Sequence, residues 1–375
     1  MPAEYTTFGL APATRPGEIA ADGGHRLHRD FVDFVVDGRP LLFRLADLDA
    51  VSPLASDVPP AILAAQVRGL LLESEAPLPG GRYLIYGCPE CEDLACGAVT
   101  AVIERAHARD TGMDGTGTDA ADGADGADGP DGADYVWRDF AWQTDAHADL
   151  ERDGYQGIGP FRFAGAEYRA ALRSLLDGDG GGHAPRRRVL LVGARTAALA
   201  RLAAALRALG IGADISGDTV HIHAGELRQY GAVVFGTGVG PAERAAVRDA
   251  FERAGADVAR VDGTPPIVPL LVARIEQALD PGPVERRRLT RLTAAGGAAD
   301  VEVTSACRVR ITAHRLDRLH RTRTQELFDG VLEPGRHRLA LDARAVKGES
   351  FVVARTAGGV LVAAVAQGEP PGHRH

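Results

Sequence analysis

The clearest pattern of hydrophobic and polar positions lies between residues 188 and 279. Short runs that are apolar on both faces, such as residues 188–192 and 231–235, alternate there with longer amphipathic segments. Such runs are typical of parallel strands, because helices cover both faces of a parallel sheet. The predicted strands are residues 188–192, 211–215, 231–235 and 256–261, and the predicted helices are residues 196–209, 241–254 and 267–279. We therefore predict a parallel α/β domain over residues 186–280.

The N-terminal part mixes strand and helix patterns. Residues 31–43 predict a hairpin, because Asp37-Gly38 between two apolar runs tolerates the positive φ angles of a tight turn. The further predicted elements are a helix over residues 57–72, strands over residues 83–86, 98–103 and 135–142, and a helix over residues 168–176. We predict an α+β domain over residues 25–177, preceded by a mobile lead-in over residues 1–24.

An Asp-Gly-Ala repeat interrupts this first domain. Carboxylates in tandem turns suit calcium, but the spacing matches neither an EF-hand loop nor a calcium-binding nonapeptide repeat. We predict a disordered loop over residues 111–134, because so polar a composition cannot bury a core. A glycine-rich linker over residues 177–183 separates the first domain from the parallel one.

The pattern changes again after residue 280. Following a linker over residues 280–299, polar and apolar residues alternate, and Pro-Gly and Gly-Gly turns separate the runs. The predicted strands are residues 301–303, 308–312, 336–341, 351–353 and 360–362. These features predict a small antiparallel β-sandwich over residues 300–367, and hence a multi-domain chain.

Composition narrows the function classes. The formal net charge of -9 argues against nucleic-acid binding, which needs a basic surface. The sequence contains neither an apolar run long enough to span a bilayer nor a secretory signal, so we expect a cytoplasmic protein without a membrane partner. Four cysteines in such a chain are expected to be thiols or metal ligands rather than a disulfide framework.

The sharpest local motif is the run Cys88-Pro-Glu-Cys91 followed by Cys96. Three thiolates at this spacing can converge on one metal, so Cys88, Cys91 and Cys96 are candidate zinc ligands. Cys307 lies in another predicted domain, so the fourth ligand would come from one of the residues Glu92, Asp93, His25, His28 and His107. Two alternatives stay open, namely a turn with three unligated thiols and redox use of Cys88 and Cys91.

The carboxyl ends of the predicted parallel strands are the second candidate site. Open α/β sheets bind ligands at this edge, where helix N-termini offer free amides to anions. The predicted ligand-binding residues are Gly193, Arg195, Thr196, Gly236, Thr237, Gly238, Asp262 and Thr264. These loops carry neither a dinucleotide-binding glycine fingerprint nor a P-loop, so no sequence motif identifies the ligand. The alternative is a set of short turns required by helix–sheet packing.

The strand–helix rhythm and size of residues 186–280 resemble a flavodoxin-like response-regulator receiver domain. Receivers hold a divalent cation with an acidic pair after the first strand and a phospho-accepting aspartate after the third, and they use a lysine later in the fold. Here Gly193-Ala194 and Gly236-Thr237 stand at the acidic positions, and the single lysine, Lys347, lies outside the domain. The resemblance therefore implies a receiver-like fold without phosphoryl transfer, which needs those carboxylates.

The cysteine motif, ending in Cys96-Gly97, and the segment Trp137-Arg-Asp-Phe140 together resemble a family of uncharacterised actinobacterial proteins, some of which carry the label oxidoreductase. The resemblance covers most of the chain. Our leading hypothesis is a ligand-sensing or partner-binding protein with a degenerate receiver-like core, whose partner is a protein or a small molecule. The alternative is a nucleotide- or flavin-dependent oxidoreductase that holds NAD(P) or flavin in the strand-end cleft.

Overall fold

The computed structural model describes most of the chain. The described residues are 5–20, 24–45, 48–55, 59–91, 93–106, 133–176, 188–194, 197–217, 222–280, 282–295 and 297–366. The fold is mixed α/β, and the chain divides into two compact units. Unit 1 holds Met1–Pro12, Phe31–Arg44 and Asp49–Gly182, and unit 2 holds Ala13–Asp30, Leu45–Leu48 and His183–His375. The limits predicted for three domains are a finer division and stay predictions.

Strands dominate the described part of the chain. In chain order they are β1 Phe8–Arg15, β2 Glu18–Ile19, β3 His25–Arg26, β4 Arg29–Val36, β5 Arg39–Pro40, β6 Arg82–Gly87, β7 Ala98–Ala106, β8 Asp134–Gln143, β9 Phe161–Phe163, β10 Arg188–Val192, β11 Gly212–Ser216, β12 Tyr230–Phe235, β13 Ala259–Asp262, β14 Leu289–Ala295, β15 Ala298–Val303, β16 Cys307–Leu316, β17 Thr322–Leu332, β18 Gly335–Ala340, β19 Ser350–Thr356 and β20 Gly359–Ala366.

The helices lie mainly around the parallel sheet. They are α1 Pro60–Leu70, α2 Leu150–Asp153, α3 Gly165–Arg173, α4 Ala197–Ala208, α5 Ala224–Leu227, α6 Pro241–Arg253 and α7 Val268–Leu279, with short 3₁₀ turns at Leu41–Arg44, Leu94–Cys96 and Val284–Arg286. Among the described residues, no helix has both the length and the apolar composition needed to cross a membrane.

Unit 1 contains an antiparallel sheet with the strand order β6-β7-β8-β9. The strands predicted over residues 83–86, 98–103 and 135–142 are confirmed as β6, β7 and β8. The predicted hairpin is confirmed too, since Asp37 and Gly38 have φ angles of 52° and 74° between β4 and β5.

The core of unit 1 is aromatic. Trp137 of β8 is fully buried, and its ring lies 5.1 Å from Phe34 and 5.6 Å from Phe163 in edge-on contacts. Its indole Nε1 donates to the hydroxyl of Tyr168 at 3.1 Å, and that hydroxyl donates to the carbonyl of Leu70 at 2.9 Å. The polar atoms of these buried rings are therefore satisfied, as stable aromatic cores require.

The predicted mobile lead-in over residues 1–24 is wrong for residues 8–15 and 18–19, which form β1 and β2. The reason is the burial of Phe8 and Ala11, which a Pro- and Gly-rich composition conceals. The ring of Phe8 lies 4.5 Å from that of Tyr168, so this strand contributes to the aromatic core.

Two predicted connecting segments lie largely outside the described residues. The repeat loop predicted over residues 111–134 has only residues 133 and 134 described, and Asp134 begins β8. The glycine-rich linker predicted over residues 177–183 is not among the described residues.

Unit 2 contains the predicted parallel sheet, with the strand order β11-β10-β12-β13. All three neighbouring pairs are parallel. Helices α4 and α7 pack on one face, against Val189, Leu191 and Val234. Helix α6 packs on the other face, against Leu190, Val233 and other strand residues. Because apolar side chains point to both faces, the runs show no alternation in the sequence.

The predicted C-terminal sandwich is a single curled, mostly antiparallel sheet with the strand order β17-β16-β19-β20-β14-β15-β18. It begins at Leu289, inside the segment predicted as a linker, and β14 pairs with β20 in parallel. The prediction missed β14 and also β17, which is mostly exposed at the sheet edge. Within unit 2, α7 also packs against the β19 residues Phe351 and Val353.

Candidate functional site

The predicted ligand-binding residues lie at the carboxyl ends of neighbouring parallel strands. We call this edge of the sheet, with the loops after β10, β12 and β13, the rim. Val192 pairs with Phe235, and Phe235 pairs with Asp262. The residues that follow continue the pairing, since the amide of Gly236 donates to the carbonyl of Val192 at 2.8 Å. Gly193, Gly236 and Asp262 therefore lie side by side along one edge of the sheet.

Packing explains two of the rim glycines. Gly193 has a φ angle of +139°, and a Cβ atom there would lie 3.3 Å from Val239 Cγ2. A Cβ atom at Gly263 would lie 2.4 Å from the carbonyl oxygen of Phe235. These close approaches require glycine whether or not a ligand binds. They therefore also agree with the alternative interpretation, in which helix–sheet packing alone requires these short turns.

The loops of the rim are open to solvent. Thr237 and Gly238 are exposed, and a Cβ atom at Gly238 would have no heavy atom within 4 Å. Thr264 is bound to its neighbour, because its hydroxyl donates to Oδ1 of Asp262 at 2.9 Å. The remaining predicted ligand-binding residues, Arg195 and Thr196, lie outside the described residues. Ligand binding by the set as a whole stays a prediction.

A groove of about 400 Å³ opens beside this rim, between the start of α6 and β13. Its lining residues are Phe235, Pro241, Arg244, Arg248, Arg260, Val261 and Asp262. Sequence reasoning missed its three arginines, because an arginine-rich composition made each one look like ordinary surface. The available signal was their spacing, since Arg244 and Arg248 lie four residues apart and so share one side of a helix.

Arg244 is held in place at the groove. Its guanidinium carbon lies 5.0 Å from the ring centre of Phe235, and its Nε donates to the carbonyl of Val239 at 3.1 Å. Its Nη2 lies 3.6 Å from Oδ1 of Asp262. Arg260 lies 3.7 Å from Glu252, at half-exposed side chains where such a pair contributes little.

The three candidate cysteines converge in the connection between β6 and β7. Their Sγ atoms all lie within 4.8 Å of one another. Asp93 begins the 3₁₀ turn Leu94–Cys96 by accepting from the amide of Ala95 at 2.9 Å. Gly97 then leaves the turn with a φ angle of +93°, under the ring of Trp142. The turn therefore folds Cys96 back toward Cys91.

The geometry fits a metal after a small movement. A Zn–S bond of about 2.3 Å in a tetrahedral site places two sulfurs about 3.8 Å apart. The Sγ atoms of Cys91 and Cys96 are 2.9 Å apart, so they must separate by roughly 1 Å to share such an ion. The side chains of Cys91 and Cys96 are both exposed, and Cys88 is half-buried, so the two thiols that must move apart lie at the surface.

The two exposed thiols have different acidities. The hydrogen bond with Cys96 lowers the pKa of Cys91, and the same bond raises the pKa of Cys96 to about 11. A thiolate therefore forms more readily at Cys91 than at Cys96. Metal binding at this cluster must release protons.

The fourth ligand proposed from the sequence is not found among the described residues. Asp93 caps the 3₁₀ turn and is not part of the cluster that could hold an ion. His28 is bound to Glu276 and Asp30 in a buried group of unit 2, and His25 lies exposed on β3. Glu92 and His107 lie outside the described residues.

Comparison with protein-family models and with curated proteins gives no match.

Proposed function

We propose that this protein binds a small ligand at the carboxyl edge of its parallel sheet and acts as a ligand-sensing module without a reaction of its own. The observation that carries the proposal is the alignment of Gly193, Gly236 and Asp262 on adjacent strand ends, next to an open groove. Ligands of open α/β sheets bind at this edge, where the strand order reverses.

The strand order supports a flavodoxin-like, receiver-like core. In unit 2 the first strand of the sheet, β10, lies between the second, β11, and the third, β12. The reversal of direction therefore falls between β10 and β12, whose ends carry Gly193 and Gly236. Flavodoxin-like sheets share this 2-1-3-4 order and bind ligands at the same reversal.

The residues at the rim favour binding over phosphoryl transfer. Gly193-Ala194 and Gly236-Thr237 occupy the positions after the first and third strands, where a receiver needs carboxylates. Carboxylates are the groups that hold a divalent cation during such a transfer. A ligand at this rim would contact backbone amides, small side chains and the guanidiniums of the groove.

Native mass spectrometry tests this proposal. The full-length protein is incubated with a pool of cellular metabolites below about 1 kDa, a size that suits a pocket of this class. We expect a bound small molecule in the wild type and in Gly358→Phe, and none in Gly238→Phe. Both glycines have open space around their Cβ positions, so both substitutions should fold, but only Gly238 lies at the rim.

Three results of that experiment would contradict the proposal. The first is the absence of any adduct in the wild type, and the second is an adduct that Gly238→Phe retains. The third is a bound NAD(P) or FMN together with substrate turnover, which would instead support the oxidoreductase hypothesis.

A second candidate function, zinc binding by unit 1, is favoured by the convergence of Cys88, Cys91 and Cys96 within 4.8 Å. When bound, the ion would be held by three thiolates and would fix the connection between β6 and β7. Protein prepared without chelator should contain about one equivalent of zinc per chain. Cys91→Ser should lose most of it, whereas the buried Cys307→Ser should keep it.

A further inference from the structure

Three guanidinium groups line the groove at the carboxyl edge of the parallel sheet. Arg244 and Arg248 come from α6, and Arg260 comes from β13. One carboxylate, that of Asp262, lines the same groove. The groove therefore carries a local excess of positive charge, in a chain whose formal net charge is -9.

This charge is only partly compensated within the fold. Arg244 lies 3.6 Å from Asp262, but that carboxylate already accepts from the hydroxyl of Thr264. Arg260 lies 3.7 Å from Glu252. Arg248 is exposed, and among the described residues no hydrogen bond or ion pair to its guanidinium is observed. At least one guanidinium can therefore bind an external anion at little cost to the fold.

The walls of the groove are apolar and partly aromatic. Phe235, Pro241 and Val261 line it beside the arginines. The guanidinium of Arg244 lies over the ring of Phe235, and the Arg244 side chain is 32% exposed. Guanidinium groups match the geometry of phosphate and carboxylate, and they also stack on flat rings.

We propose that this groove binds a small molecule in which a phosphate or carboxylate group is joined to a flat apolar ring. The arginines hold the anionic group, and the walls formed by Phe235, Pro241 and Val261 cover the ring. This inference rests on the proposed function and names the ligand class of the same edge. The charge of this groove is opposite to that of a receiver pocket. Guanidinium groups lie near the edge of the sheet at which receivers carry carboxylates.

Isothermal titration with matched pairs of compounds tests the charge requirement. The pairs are AMP with adenosine, and benzoate with benzamide, and each pair differs in the anionic group. We expect at least one of the two anions to bind the full-length wild type with a Kd below about 1 mM. Its neutral partner should bind roughly tenfold more weakly or not at all, because a hydrogen bond to a charged group is worth about one such factor or more.

Arginine variants test the location. Arg248→Gln and Arg260→Gln should each weaken binding of that anion about tenfold. The control is Arg253→Gln, which removes the same charge from α6 at a residue that does not line the groove and that donates to the Asp249 carbonyl of its own helix. It should change the Kd less than about twofold. Arg244 is not substituted, since it packs on Phe235 and its loss could disturb the fold.

The results separate this inference from the proposed function. Binding of neither anion at millimolar concentration overturns the inference, as does equal binding to wild type, Arg248→Gln and Arg260→Gln. If the neutral partner binds as tightly as the anion in every pair that binds, the inference is also overturned, although a ligand site at this edge would then still stand. A metabolite adduct that Gly238→Phe abolishes but both arginine variants retain likewise supports the proposed function and removes the anionic ligand class.

Discussion

The Nδ1 atom of His28 lies 2.6 Å from Oε2 of Glu276, and both side chains are buried within unit 2. Nε2 of the same imidazole lies 3.1 Å from Oδ1 of Asp30. Burial alone lowers the pKa of His28, but the charges and hydrogen bonds of Glu276 and Asp30 outweigh it and raise the pKa to about 10. His28 is therefore a buried cation at neutral pH, held between two carboxylates.

Removing one of these charges should strongly destabilise unit 2. Glu276 also accepts from the amide of Gly17 at 3.0 Å, so it ties the segment before β2 to α7. We expect Glu276→Gln to lower the free energy of unfolding by about 3 kcal/mol, because it leaves a buried cation with one partner fewer. Urea denaturation measures this loss. The exposed control Glu285→Gln should stay within about 0.5 kcal/mol of wild type, and an equally small loss for Glu276→Gln would contradict the role of the ion pair.

The pKa of His28 also predicts how stability depends on alkaline pH. Because the folded-state pKa is raised from about 6.5 to about 10, the stabilisation is complete below pH 6.5 and is lost as the pH rises toward 10. Between pH 7.5 and 9, wild type should lose up to about 1.4 kcal/mol per pH unit from this group. His28→Gln should lack that loss. Parallel stability profiles for the two proteins over this range would refute the assignment.

A second buried histidine should make stability depend on pH on the acidic side. His314 lies between the hydroxyls of Thr312 and Thr324, at 3.0 and 3.1 Å. Burial, assisted by the charge of Arg355, lowers the pKa of His314 to about 4. Its contribution is therefore complete above pH 6.5 and is lost as the pH falls toward 4. Relative to His314→Gln, wild type should lose stability between pH 6.5 and 5, measured by urea denaturation at each pH. A constant difference between the two proteins would exclude this titration.

The parts of the fold that were predicted well from the sequence are those with a strong local pattern, such as a continuous apolar run or a short cysteine spacing. The run over residues 188–192 is apolar on every side chain but the first, which is typical of a strand covered on both faces. Once the parallel strands were placed, the adjacency of Gly193 and Gly236 followed, because carboxyl ends of parallel strands share an edge. The cysteine cluster was predictable for a similar reason, since its spacing is local.

The parts that were missed depend on distant partners. β17 is polar along most of its length, because an edge strand exposes both faces, so no periodicity marks it. Glu18 and His28 lie in or next to a segment without a pattern, and their roles arise from contacts with β16, β19 and α7 far along the chain. The arginines of the groove come from two separate elements. Only the fold brings them together.

Substitution of Gly97, the glycine that follows Cys96, should strongly destabilise the fold. A Cβ atom there would lie 1.9 Å from Cζ2 of Trp142, and the φ angle of +93° adds strain for any other residue. We expect Gly97→Ala to cost about 3 kcal/mol or more, measured by chemical denaturation. Gly80→Ala controls for the backbone, since Gly80 has a φ angle of +74° and open space, and it should cost only about 1 kcal/mol. Trp142→Ala should absorb part of the penalty in a double-mutant cycle, and additive losses would exclude the clash.

Glu18 should stabilise the face of the curled sheet that carries Arg310 and Arg355. Arg310 of β16 and Arg355 of β19 are directly opposite one another, and Glu18 contacts both guanidiniums. Like charges in this register repel, so the carboxylate between them offsets the repulsion. We expect Glu18→Gln to lower the free energy of unfolding by about 3 kcal/mol, because the Arg355 side chain is only 10% exposed and loses this ion pair, while its hydrogen bond to the carbonyl of Gly17 at 3.0 Å remains. Adding Arg310→Gln should recover about 1 kcal/mol by removing the repulsion, whereas adding Arg308→Gln on the same strand should recover nothing. If both double variants have the same stability, the opposed arginines are not the cause of the loss.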